Sequence, residues 1–198
     1  MSLIKTINKP ASALISDRGS KFYAYAYPIE KKEQVKLLID KLKVKHPKAN
    51  HFCTAFSIGH GEQEYHLSND DGEPANSAGA PILGQIRSFQ LSNILIVVIR
   101  YFGGTKLGIR GLINAYKTAA KEAINTASIK EEKIMASFSF AIPYERMGAI
   151  LSIIDKNKLK AAIEHSTHEA KIEITVDKDF LPSTLQLFQA FNLTMQIN

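Results

Sequence analysis

The stretch ILIVVIRYFGGTKLGIRGL, residues 94–112, decides the reading of the fold. Residues 94–99 are apolar without a break, which marks a strand buried on both faces rather than an amphipathic one. At its end come Arg100, Tyr101 and Phe102, then a loop with Gly103, Gly104, Gly108 and Gly111. A helix follows, with Leu112, Tyr116, Ala119, Ala123 and Ala127 on one stripe. A strand covered on both sides needs helices on both sides, and the preceding sequence supplies them. A strand over residues 21–27 leads through Pro28 to a helix carrying Val35, Leu38, Ile39 and Leu42, ended by His46-Pro47. Strands near residues 51–58 and 63–67 come next. After a polar loop over 68–76 a helix is expected near 78–88, with Ser77 as its cap and Pro81 in its first turn.

Downstream, the polar residues 126–133 separate two regions of clear periodicity and set the expected domain boundary: an N-terminal domain over 1–130 and a C-terminal one over 131–198. Ile134, Ala136, Phe138, Phe140 and Ile142 alternate as a strand that Pro143 ends, and Met147, Ile150, Leu151 and Ile154 follow at helical spacing. Two more strands, carrying Leu159, Ala161 and Ile163 and then Ile172, Ile174 and Val176, precede a helical stripe of Leu181, Leu185, Phe188 and Phe191. Leu193, Met195 and Ile197 make a last strand. The order β-α-β-β-α-β is the ferredoxin-like plan, a four-stranded antiparallel sheet with both helices on one face. The chain is thus read as α+β with two domains.

Composition narrows the function classes. The chain has 198 residues, 45% of them apolar and 22% charged, which excludes disordered, collagen-like and disulfide-rich classes. The longest apolar run is far too short to cross a bilayer, and the first residues have no signal-peptide stretch, so no membrane partner and a cytoplasmic location are expected. A single cysteine, Cys53, fits a reducing compartment. The net charge of +6 is unevenly divided: residues 1–130 hold 18 Lys and Arg against 10 Asp and Glu, and the rest hold 7 against 9. Attraction to a polyanion therefore belongs to the first domain.

Three segments carry candidate chemistry. The glycine loop, with Lys106 and Arg110 and a helix starting behind it, can present backbone N–H groups and positive charge to a phosphate. Arg100 and Lys117 are close in sequence. The spacing is neither that of a P-loop nor that of a dinucleotide fingerprint. The glycines equally serve a tight strand-to-helix turn. Asp70, Asp71 and Glu73, around Gly72 and Pro74, could hold Mg²⁺ or supply a base, but they also suit a turn or a pairing with Arg100 or Arg110. His51 and Cys53 share a strand face, an arrangement open to nucleophilic chemistry or to simple burial of the thiol. Tyr23, Tyr25 and Tyr27 could stack bases or pack under a helix. His60 and His66 are too scattered for a metal site.

Taken together, four segments resemble the IMPACT family: residues 19–22 (GSKF), 49–56 (ANHFCTAF), 70–83 with DDGEP and AGAPIL, and 97–108 (VVIRYFGGTKLG). The family pattern rests on His51, Asp70, Asp71, Gly72, Glu73, Pro74, Gly79, Pro81, Arg100, Tyr101, Phe102, Gly103, Gly104, Lys106 and Gly108. The chain departs from it at Asn76-Ser77, where Gly-Thr is usual, at Ala80, where Lys is usual, and at Arg110, where Gly is usual. The resemblance implies an N-terminal domain like the second domain of a small-subunit ribosomal protein and domain IV of elongation factor G. It also implies a C-terminal ferredoxin-like domain, and for bacterial members nucleic-acid or ribosome binding. For eukaryotic relatives it implies restraint of an amino-acid-sensing initiation-factor kinase through its activator, by means of an additional N-terminal domain. This chain starts about twenty residues before its first motif, so the bacterial two-domain type is the expected match.

Two functions remain in view. The first is an RNA- or ribosome-binding regulator of translation, with Arg100, Lys106, Arg110 and Lys117 on phosphates, no cofactor, no metal and no DNA sequence specificity. The alternative is a metal-dependent enzyme on a phosphorylated small molecule, with Asp70, Asp71 and Glu73 on Mg²⁺ and the glycine loop on phosphate.

Overall fold

The structure, a computed structural model, describes residues 2–61 and 64–197. The chain forms a mixed α/β fold with antiparallel sheets, divided into two compact units: Ile4–Glu132, and Met1–Leu3 with Lys133–Asn198. The strands that lie wholly or, for the first and last, all but one residue in the larger unit are β1 (Leu3–Ile7), β2 (Ala11–Asp17), β3 (Ser20–Pro28), β4 (His51–Ile58), β5 (Tyr65–Asn69), β6 (Ile94–Tyr101) and β7 (Ile129–Lys133). The helices are α1 (Glu33–Lys45), α2 (Gly79–Ser88) and α3 (Gly108–Asn125). Five strands make one sheet in the order β2-β3-β6-β4-β5, every neighbouring pair antiparallel.

Strand β6 lies at the centre, and Ile94 through Ile99 have no solvent exposure. Its alternate side chains divide two cores. Ile94, Ile96 and Val98 join Phe22, Ala24, Cys53, Ala55 and the apolar stripes of α2 and α3. On the other face Leu95, Val97 and Ile99 join Phe52, Phe56 and Leu42 of α1, with Tyr23, Tyr25 and Tyr27 packed beneath that helix. A fully buried Val, Leu or Ile contributes about 1.5–3 kcal/mol, so this one strand carries much of the unit's hydrophobic stabilisation. Register then places the functional region: at the end of β6, Arg100 is opposite Phe22 on β3 and His51 on β4.

Several elements differ from the periodicity reading. Strands β1 and β2 were not expected, and residues 129–133, expected as part of a polar boundary, form β7 paired with β1. The turn from β2 to β3 explains why its hairpin is hard to see: Arg18 and Gly19 both have positive φ, as in a two-residue type I′ turn, without the usual Asn-Gly. Part of the strand expected at 63–67 falls on Gln63, which lies outside the described residues; β5 runs from Tyr65 to Asn69. Helix α3 starts at Gly108, inside the segment expected as loop.

The smaller unit comprises β8 (Met135–Pro143), α4 (Met147–Lys156), β9 (Lys160–His165), β10 (Glu169–Asp177), α5 (Leu181–Leu187) and β11 (Gln196–Ile197). Its sheet order is β11-β8-β10-β9, antiparallel throughout. Phe138, Phe140, Ile172, Ile174, Ile150 and Phe188 form its core. The last strand is shorter than expected. Leu193 and Met195 pack on the core, but only Gln196 and Ile197 pair with β8.

Candidate nucleic-acid interface

Two loops meet at the end of β6, and the structure gives them opposite characters. The acidic loop between β5 and α2 turns its carboxylates inward. Asp70 accepts from the backbone N–H of Asn76 through Oδ2 at 2.8 Å, and through Oδ1 from those of Ala78 at 2.9 Å and Gly79 at 2.8 Å. The first N–H groups of a helix have no partner within it, and Asp70 supplies one for α2. Ser77, expected as the cap, instead donates to the Pro74 carbonyl at 2.6 Å. Asn76 holds φ at 60°, a conformation Asn tolerates better than most residues, which is how the loop keeps its shape without the family's glycine. Gly79 lies so close to β5 that a Cβ there would be 2.8 Å from the Asn69 nitrogen.

Asp71 accepts from the Phe52 N–H at 2.6 Å, and its carbonyl accepts from His51 Nδ1 at 2.8 Å. Gly72 sits over the same His51 ring. Glu73 is buried and accepts twice at Oε1, from Arg100 Nη1 at 2.7 Å and from the Tyr116 hydroxyl at 2.8 Å. The Cys53 thiol completes the chain, its single proton placed between two acceptors, the Asp70 carbonyl at 3.0 Å and the Tyr116 oxygen at 3.3 Å. Burial pushes Cys53 up to about 12. Burial raises the Tyr116 hydroxyl as well. Cys53 is fully buried with its sulfur against the Asp70 carbonyl and the Tyr116 hydroxyl, which fits burial of the thiol on the His51–Cys53 strand face.

This network bears on two expectations. The three carboxylates serve backbone N–H groups, an arginine and a tyrosine instead of converging on a common point, and no grouping of His, Cys, Asp and Glu able to hold a metal occurs among the described residues. A Mg²⁺ centre at Asp70, Asp71 and Glu73 does not fit that geometry. Arg100 also departs from the expected set of phosphate-binding cations. It is 8% exposed, ion-paired to Glu73, with its guanidinium carbon 5.7 Å from the Phe22 ring centre and 5.6 Å from that of Phe102. Its Nε is buried without a hydrogen-bond partner.

The glycine loop turns its cations outward. Gly103 passes so near the β2–β3 turn that a Cβ would lie 1.9 Å from the Gly19 carbonyl carbon, and its N–H donates to Ser20 Oγ at 3.2 Å. Gly104 and Gly108 have positive φ. The path so fixed leaves Phe102, Lys106 and Arg110 exposed. Lys117 is exposed further along α3, and so is Lys121, one turn on, which the sequence reading passed over although its i,i+4 spacing from Lys117 shows it. No ion pair among the described residues engages Lys106, Arg110, Lys117 or Lys121. Tyr101, the neighbour of Arg100, points to the other face and meets His46 Nδ1 at 3.0 Å. Pro81 lies in the first turn of α2.

Comparison with known proteins places these features. The family model described as the Impact N-terminal domain matches residues 18–124. The chain is 31% identical over 173 residues to the IMPACT family member YvyE of Bacillus subtilis, covering 87% of this chain and 79% of that one. It is 40% identical over 102 residues to the Protein IMPACT homolog of Saccharomyces cerevisiae, covering 50% and 39% of the two chains. A crystal structure of a hypothetical protein superposes with a TM-score of 0.77 at 22% identity, covering 100% of this chain and 97% of that one, a likeness of fold.

Proposed function

The chain belongs to the IMPACT family, and from that premise we propose that it is an RNA- or ribosome-binding protein acting on translation in the cytoplasm. One observation carries the reading: Lys106, Arg110, Lys117 and Lys121 stand exposed along the glycine loop and α3, in no ion pair among the described residues, while Asp70 and Glu73 of the neighbouring acidic loop are bound to the protein's own donors. Exposed cations without acidic partners attract the phosphate backbone whatever the sequence it carries. The likeness to a ribosomal-protein domain and to domain IV of elongation factor G that the family resemblance implies would support the same reading. No helix among the described residues is long and apolar enough to cross a membrane.

The salt dependence of binding tests it. Four cationic contacts to a single strand give a slope of log K against log salt near −2.8, at about 0.7 per contact. Replacing Lys106 and Arg110 by Ala should flatten that slope by about 1.4 and weaken binding to every sequence alike. Lys171→Ala, on the exposed side of β10, should change neither. The reading fails if the protein does not cosediment with ribosomal subunits or bind RNA at low salt, or if the double variant binds as the wild type does.

A further inference from the structure

Where the glycine loop passes the acidic loop, the larger unit has a cleft of about 380 Å³. Its lining is mostly apolar: Phe102, Leu107, Ile109 and Leu112 provide most of the wall, with the paired Arg100 and Glu73 on the buried side and Lys106 on the exposed side. We propose that this cleft takes one unpaired nucleotide of an RNA strand, its base against Phe102 and its phosphate at the first turn of α3 beside Lys106 and Arg110. The proposal deepens the RNA-binding reading and rests on it.

Three observations converge. Phe102 is 57% exposed, yet it is not loose: the Arg100 guanidinium lies 5.6 Å from its ring centre, and Gly103 next to it is pinned against Gly19. An exposed aromatic ring held in place is a stacking platform. The N-terminus of α3 is poorly served by the protein itself. This 18-residue helix has Leu107 at its cap with no side-chain hydrogen bond, no acidic residue in its first turn, and Arg110 there instead. Positive charge at the positive end of a helix is unfavourable, and an anion at that point relieves it. Finally, Arg100 has a side chain only 9% exposed, lines the cleft, and keeps a buried Nε with no partner. A buried donor left unmatched costs stability, so a shift of the Arg100 side chain that brings Nε to an acceptor oxygen of a base would be favoured.

The size and chemistry select the ligand. The volume is at the low end for small-molecule sites, and an aromatic wall beside an anion seat matches a base with its phosphate. A base inside a duplex is stacked on both faces and cannot enter. The cleft should therefore distinguish unpaired from paired RNA, whereas the cations of α3 alone should not.

The experiment uses the full chain with three probes: a labelled, unstructured oligoribonucleotide, a blunt-ended, fully paired RNA duplex, and free AMP or UMP. Phe102→Ala should weaken oligonucleotide binding roughly ten- to hundredfold, the usual range for one lost stacking contact, and leave duplex binding unchanged. Ile109→Glu is the second variant. Its carboxylate sits in the first turn of α3, where it should maintain or raise the melting temperature while it occupies the phosphate seat and weakens the oligonucleotide roughly tenfold or more. Variants that bind the oligonucleotide as the wild type does, or that lose oligonucleotide and duplex equally, overturn the cleft while the RNA reading stands. A wild type that binds neither RNA but takes AMP or UMP in a Phe102-dependent way overturns the RNA reading and supports the cleft as a nucleotide site. Binding to none of the probes overturns both.

Discussion

Replacing Glu73 by Leu should unfold the larger unit far more readily than its single-residue scale suggests. In the wild type the Glu73 side chain is 4% exposed and lies 2.7 Å from an Arg100 side chain that is 9% exposed. Removing the carboxylate strands a buried guanidinium whose Nε already lacks a partner. Breaking a buried ion pair from one side costs about 3–5 kcal/mol, because a charge remains without compensation. The Tyr116 hydroxyl loses its acceptor at the same time, adding about 1 kcal/mol. The expected loss of about 4–6 kcal/mol compares with a whole-domain stability of about 5–15 kcal/mol. Urea titration of the full chain, followed by near-ultraviolet tyrosine dichroism, reads it out, since six of the seven tyrosines fall within residues 4–132. The double variant Glu73→Leu/Arg100→Met supplies the control. With both charges replaced by apolar side chains of similar bulk, most of the loss should return, because the pair itself contributes little net stability once its desolvation is counted. A Glu73→Leu protein within about 1 kcal/mol of the wild type, or a double variant no more stable than the single, would refute the assignment of this pair as a buried, mutually dependent unit.

Asp70→Ala removes the acceptor of three backbone N–H groups. A lost cap alone costs about 0.5–2 kcal/mol, and hydrogen exchange at Asn76, Ala78 and Gly79 should speed up before that elsewhere in the sheet. Unchanged exchange at those three amides counts against Asp70 as the organiser of the loop. For Cys53, burial holds the folded thiol at about 12 against an ordinary value of 9.0. The unfolded chain then loses its proton first as pH rises, so stability should be fully kept below about pH 9 and fall by about 1.4 kcal/mol per pH unit between there and pH 12. Cys53→Ala should reduce that slope by the same amount. The native thiol should also resist alkylation at pH 8, and rapid labelling of the folded protein would contradict its burial.

Local chemistry alone carried a good part of this structure. The unbroken apolar run over residues 94–99 marked a two-sided buried strand, and it is the central one; the His46-Pro47 break closed α1; alternation over residues 51–58 and the order of elements in the smaller unit were readable because periodicity records which face of an element is buried. The acidic loop's alternative to a metal site, pairing with Arg100 or Arg110, was also legible from its turn residues and the charge nearby. What the chain could not show locally is which of those arginines it meets. The choice depends on sheet register: β6 lying beside β3 and β4 sets Arg100 over the α2–α3 face, 27 residues from Glu73 in sequence, while Arg110 stays outside on α3. The same holds for Asp70 displacing Ser77 as the cap of α2, for β7 forming where only polar residues were visible, and for a cleft that exists because two loops distant in sequence close on one end of a strand. Burial faces follow from each segment's own spacing, but partners across the fold are chosen only when the sheet assembles, because their attraction becomes significant once water is excluded from between them.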